Sequence, residues 1–131
     1  MRSIPEGFED LLSDSARAFA YLATVMKDGT PQVTPIWFNI EGEYILVNSA
    51  KGRVKDRNMR KRPNVALLVA DPQDPYRYLA VRGKVLEITE DGAIAHIDAL
   101  AKKYRGVDLY QGPRANRVIY KIQPEKLFVH L

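Results

Sequence analysis

The sequence predicts a small α+β protein built on an antiparallel β-barrel, and three observations carry that prediction. Six or seven β-rich apolar runs recur along the 131 residues, most of them joined by connections too short for a parallel crossover. Three helical segments punctuate the strands without alternating with them, so repeating βαβ units do not fit. An apolar content of 46% in one chain of this length supplies a single core, which makes residues 1–131 one domain.

The elements follow in order. Phe8, Leu11 and Leu12 recur at helical spacing behind Pro5, which predicts a short opening helix over residues 5–13. The runs ARAFAYLATVM and PQVTPIWFNI flank KDGT, and Asp28-Gly29 between two β-rich runs predicts a hairpin because glycine accepts the positive φ of a tight turn. YILVNS is a third strand after the turn EGE. Residues 53–62 contain neither glycine nor proline and predict a helix that Pro63 stops. NVALLVAD and YRYLAVRGKVLEIT read as strands, separated by DPQDP, where two prolines and two aspartates preclude regular pairing. Thr89 reads as the N-cap of a helix over residues 90–106, with Ala93, Ile97, Leu100 and Tyr104 on its apolar face and Gly106 as its stop. Residues 107–116 read as a loop. RVIYKI and KLFVHL close the chain as two strands.

Charge is local. Seven of the twenty basic residues fall between Lys51 and Arg62 beside a single acid, Asp56, while acids outnumber bases in the remainder. The absence of cysteine removes disulfides, thiolate nucleophiles and cysteine-ligated zinc, and fits a reducing interior. No apolar signal core opens the chain and no run of about 18 apolar residues follows, so a cytoplasmic protein is expected.

Few side chains offer reactivity of their own. His96 and His130 lack a neighbouring ligand at metal-binding spacing and read as structural or solvent-facing. No nucleophile elbow surrounds Ser13, Ser15 or Ser49, and no Gly-rich phosphate loop occurs. An enzyme built this way must draw its chemistry from a bound cofactor. The basic stretch supplies the place for one, since a strand ends at Ser49 and a cationic helix begins just beyond it. A helix N-terminus favours an anion, and Arg53 and Lys55 at the first turn add charge and directed hydrogen bonds. Arg57 and Lys61 fall one and two turns beyond Arg53 on the same face. The competing readings are a solvated charged helix face and a nucleic-acid surface; the latter would want aromatics among the cations, and none lies between Lys51 and Pro63.

The order of AYLATVMKDGTPQVTPIWF, YILVNSAKGRVKDRNMRKRPNVALLV, YLAVRGKVLEI and RVIYKI resembles the pyridoxamine-phosphate-oxidase-like split barrels over nearly the whole chain. Within them it resembles the flavin/deazaflavin-dependent oxidoreductases of the branch that binds coenzyme F420. The pattern is Leu22 to Thr24, Asp28-Gly29, Pro31-Gln32, and the Arg-x-Lys-x-Arg-Asn-Met run from Arg53 to Met59. The resemblance implies a split barrel whose strand-to-helix corner grips the cofactor phosphate through Arg53 and Lys55, with Ser49 and Arg57 in support. It implies that Gln32, Thr34, Pro35 and Ile36 lie along the cofactor ring. It further implies a homodimer with sites across the subunit interface, where Tyr76 and Tyr78 of the second subunit flank the cofactor.

The vitamin-processing oxidases carry a further C-terminal segment that holds pyridoxal phosphate, whereas this sequence stops at Leu131 after its last strand, so oxidation of pyridoxamine phosphate is not expected. The extra regions of the haem-utilisation relatives have no counterpart here either. FMN and F420 share a tricyclic ring, ribityl chain and phosphate, and F420 adds a carboxylate-rich tail that suits a dense cationic run. The expectation is an oxidoreductase that transfers hydride from reduced F420 to a small organic acceptor. The alternatives are an FMN-binding oxidoreductase and a non-catalytic cofactor-binding protein of the same fold.

Overall fold

A computed structural model describes residues 4–129. Seven strands form one sheet in the order β2-β1-β5-β6-β7-β4-β3, with every neighbouring pair antiparallel. They are β1 (Ala20–Val25), β2 (Pro31–Ile36), β3 (Phe38–Glu41), β4 (Tyr44–Ala50), β5 (Asn64–Asp71), β6 (Asp74–Thr89) and β7 (Arg117–Phe128). Two α-helices accompany them, α1 (Val54–Lys61) between β4 and β5 and α2 (Ala93–Arg105) between β6 and β7. The architecture is the α+β split barrel.

The two edge strands, β2 and β3, are consecutive in the chain and separated by Trp37 alone. One residue cannot span an open seven-stranded sheet, so the sheet curls until its edges meet at that corner. The C-terminal turn of α2 plugs the split. Tyr104 OH donates to Ala18 O at 2.7 Å and accepts from the Phe38 amide at 3.3 Å, while Lys103 Nζ donates to Phe38 O at 2.7 Å. The Tyr104 ring stacks against both Phe19 and Trp37, at centroid distances of 5.3 and 5.1 Å. Inside, Leu22, Phe38, Ile45, Val47, Met59, Leu67, Val81 and Tyr120 fill the barrel.

The hairpin at Asp28-Gly29 is present: Asp28 Oδ1 accepts from the Thr30 amide and hydroxyl, and Gly29 sits at φ +87°. Five expectations are corrected. The opening helix is two short 3₁₀ turns, Glu9–Leu12 and Asp14–Ala16, because Arg17 in the left-handed region turns the chain away. PQVTPIWFNI splits at Trp37 into two edge strands. Thr89 Oγ1 accepts from the Asp91 amide and so caps a turn, and Gly92, at φ +74°, stands at the N-cap of α2 instead. RVIYKI and KLFVHL are one strand, β7, up to Phe128, because Pro124 lies opposite Gly83 at a register shift that absorbs its missing donor. DPQDP also pairs more than its composition suggests, with Asp71 opposite Asp74 and only Pro72-Gln73 between the strands. Among the described residues no helix is long and apolar enough to cross a membrane.

Candidate functional site

The corner between β4 and α1 is built around the one acid of the basic run. Asp56 is 2% exposed, and its carboxylate accepts from the Gly52 amide at 2.8 Å, from Tyr120 OH at 2.5 Å and from Arg60 Nε at 3.0 Å. Burial alone would push its carboxyl up, but these donors outweigh burial and hold it below the usual carboxylate range. The loop that opens α1 is thereby fastened to β7. Gly52 supplies the positive φ of that loop, and Arg53 forms the N-cap with extended backbone.

The seven cations then part company. Arg60 is spent on Asp56, Arg62 Nε donates to Val25 O at 2.6 Å, and Lys51 meets Glu90 at 3.7 Å on the surface. Arg57 Nη1 donates to Gly52 O, and the side chain stays exposed beside the equally exposed Lys61. Arg53 and Lys55 turn instead into a cavity of about 230 Å3. Its apolar wall is Phe19, Pro35, Ile36, Trp37 and Ile97, and its remaining wall is Asn48, Tyr110 and Arg117.

Arg117 is a third cation on that cavity, 5% exposed. Its Nε donates to Asn48 Oδ1 at 2.9 Å, its Nη1 donates to Pro113 O at 3.3 Å, and its guanidinium lies 5.2 Å from the centre of the Tyr110 ring. Among the described residues, no carboxylate forms an ion pair with Arg53, Lys55 or Arg117. The electrostatic result is visible in Lys55, whose ammonium burial pulls below its ordinary value, with the charges of Arg53 and Arg117 adding to the effect. Arg117 is lowered as well, chiefly by burial. Behind it, His96 is held neutral, at about 4, by burial and by the Arg117 charge.

A family profile described as pyridoxamine 5'-phosphate oxidase matches residues 5–131. The chain belongs to the pyridoxamine 5'-phosphate oxidase family. A solved structure named F420 reductase is similar to it at 40% identity and a TM-score of 0.86, over 97% of this chain and 100% of that one. A conserved hypothetical protein of Mycobacterium tuberculosis superposes with a TM-score of 0.73 at 21% identity, over 95% of this chain and 83% of that one. HupZ of group A Streptococcus superposes at 0.68 and 20% identity, over 95% and 92%. The last two share the fold.

In this member of the pyridoxamine 5'-phosphate oxidase family, the sequence-predicted Pro35, Ile36, Arg53 and Lys55 come together on one cavity. Gln32 and Thr34 lie on β2 at the same alternation as Ile36, with Gln32 Oε1 facing Thr24 Oγ1 at 3.4 Å. Ser49, near the end of β4, is 1% exposed and, like Thr34, is not part of the cavity wall; among the described residues neither its hydroxyl nor the buried hydroxyl of Thr34 has a hydrogen-bond partner. Arg57 is outside the cavity wall. Tyr76 and Tyr78, at the start of β6, are not part of the wall either, and Tyr76 is 88% exposed. His130 lies outside the described residues. Phe19, Trp37, Asn48, Ile97, Tyr110 and Arg117 are the cavity residues that sequence reasoning missed. Arg117 carried one weak signal, a cation opening a strand otherwise read as core.

Proposed function

We propose that the protein is an oxidoreductase that uses reduced F420 to transfer hydride to a small organic acceptor. The observation that carries the reading is the convergence of Arg53, Lys55 and Arg117 on one cavity with no ion-pairing carboxylate among the described residues. Two cations at the start of α1 and a third from β7, with no ion-pair partner among the described residues, call for a multiply charged anion such as a cofactor phosphate. The similar structure named F420 reductase supports the choice of coenzyme.

When bound, the coenzyme would supply the hydride. The chain's own residues do the rest. Arg53 and Lys55 would hold the phosphate, with Ser49 in support and Arg57 on the outer side of the same turn. Gln32, Thr34, Pro35 and Ile36 would flank the ring, and the wall of Phe19, Trp37 and Ile97 would keep water from it. Beyond the cavity, β1, β2 and β5 present Tyr21 and Val33, 42% and 63% exposed, over an apolar depression of about 310 Å3. That face suits a second copy of the chain, whose Tyr76 and Tyr78 would reach the cofactor in the homodimer.

A specific observation keeps FMN as the second reading. Arg60 and Arg62 are engaged within the fold, so fewer cations remain for the carboxylate tail of F420 than the sequence count suggests. Titration of purified protein with each cofactor, read by ring fluorescence, tests the choice. Tighter binding of F420 is expected, with a preference that shrinks as salt rises. Equal or reversed affinity at low salt would leave FMN. Turnover of bound reduced cofactor with candidate acceptors then separates the enzyme from a carrier.

A further inference from the structure

The strongest feature that the cofactor reading leaves unexplained is a polar chain through the otherwise apolar contact between α2 and the sheet. His96 lies on α2, Asn39 on β3 and Asn48 on β4. His96 Nε2 is 2.7 Å from Asn39 Oδ1, and His96 Nδ1 is 3.0 Å from Asn48 Nδ2. Asn48 Nδ2 also donates to Ala93 O at 2.9 Å, and Asn48 Oδ1 receives Arg117 Nε.

Each link constrains the next. The Asn48 amide nitrogen faces two acceptors, the Ala93 carbonyl and a ring nitrogen, so its oxygen must face Arg117. The ring nitrogen toward Asn48 therefore carries no proton, and the other one donates to Asn39. A histidine in this tautomer locks the orientation of Asn48. Asn48 in turn takes one of the five N–H donors of Arg117 with a neutral oxygen, which fixes the guanidinium without cancelling its charge. A carboxylate there would hold Arg117 equally well and would remove the positive charge from the cavity.

We infer that Arg117 is an anion-binding residue of the cavity and that Asn48 and His96 are positioning residues, chosen neutral so that the buried guanidinium stays aimed and uncompensated for the phosphate of a ribityl cofactor. This rests on the cavity being the cofactor site. The chain accounts for why a buried arginine is met by an amide that a histidine orients, and by no acid among the described residues.

The test compares each phosphorylated ligand with its phosphate-free core: FMN with riboflavin, and F420 with its deazariboflavin. Asn48→Asp should lower affinity for FMN and F420 by roughly 10- to 100-fold, the worth of a charge-assisted hydrogen bond. Affinity for the two phosphate-free cores should change by less than about threefold, within the spread of effects at uncoupled sites. Arg117→Gln, which removes the charge outright, should do the same and stands in if Asn48→Asp does not fold. His96→Leu should erode the discrimination in favour of phosphate, and His96→Gln, which can both donate and accept, should restore it. A purely structural role would move thermal stability and leave the ratio of phosphorylated to phosphate-free affinity unchanged, which would overturn the inference while wild-type binding still upheld the cofactor site. Failure of the wild type to bind any of the four ligands, together with no stabilisation by inorganic phosphate, would overturn both.

Discussion

At the scale of single residues, Lys55 pits stability against binding. With no ligand its ammonium is half-buried beside two other cations, so Lys55→Met should raise the melting temperature of the ligand-free protein while it weakens cofactor binding by about 1.5 to 3 kcal/mol. Lys61→Ala removes an exposed charge from the same helix and should cost about 0 to 1 kcal/mol of affinity. Calorimetry and fluorescence titration on the two variants check both statements, and equal losses would make α1 a diffuse cationic surface. Asp56 has the opposite balance. Its folded-state pKa is depressed, so it contributes stability at pH values above the ordinary 3.8 and loses that contribution as pH falls through its lower folded value. Asp56→Asn should cost about 3 to 5 kcal/mol near neutral pH by urea unfolding, because it leaves Arg60 and the Gly52 amide poorly met. The gap to wild type should narrow in acid. The sequence made Arg53 and Lys55 legible as cations of the cavity because helix position and charge are local properties. Arg117 and Asn48 were not legible, since they enter the cavity only through the register that sets Asn48 opposite Ile119 and Ser49 opposite Val118.

At the scale of elements, strand periodicity and turn chemistry located every strand to within a few residues. They failed where tertiary geometry overrides them. Trp37 breaks a continuous β-rich run because the barrel must turn its corner there, and no local signal distinguishes that position from the residues around it. The union of the last two predicted strands depends on Gly83 of β6. A Cβ at Gly83 would stand 2.7 Å from Gln123 O and 2.9 Å from Ile122 Cγ2, so the close approach of β6 to β7 at the bulge requires glycine. Gly83→Ala should therefore destabilise the protein by about 1 to 3 kcal/mol, with chemical-shift changes concentrated on β6 and β7. Tyr104→Phe tests the plug of the split: its hydroxyl, pushed up to about 12 chiefly by burial, meets Ala18 and Phe38. Its loss should cost about 1 to 3 kcal/mol, because the Phe38 amide is left without its partner.

At the scale of the whole molecule, an apolar face with Tyr21 and Val33 exposed, and the exposed Tyr76, lie outside the cavity wall. Sedimentation should show a dimer at micromolar concentration, and Tyr76→Ala or Tyr78→Ala should weaken cofactor binding without changing the melting temperature of the ligand-free protein. A folded monomer with undiminished affinity would remove the shared-site reading. The order of the strands also bears on how the protein is made. β7 is the last of the seven to be synthesised, yet it sits in the interior of the sheet between β6 and β4. Until Arg117–Phe128 clears the ribosome, both of those strands present an unpaired edge, and Arg117 itself is absent from the cavity. The nascent chain is then two separate half-sheets with open hydrogen-bonding rims, the state in which strands of neighbouring nascent chains can join in place of β7. The interval before β7 pairs is therefore when the chain is most open to aggregation and to capture by chaperones.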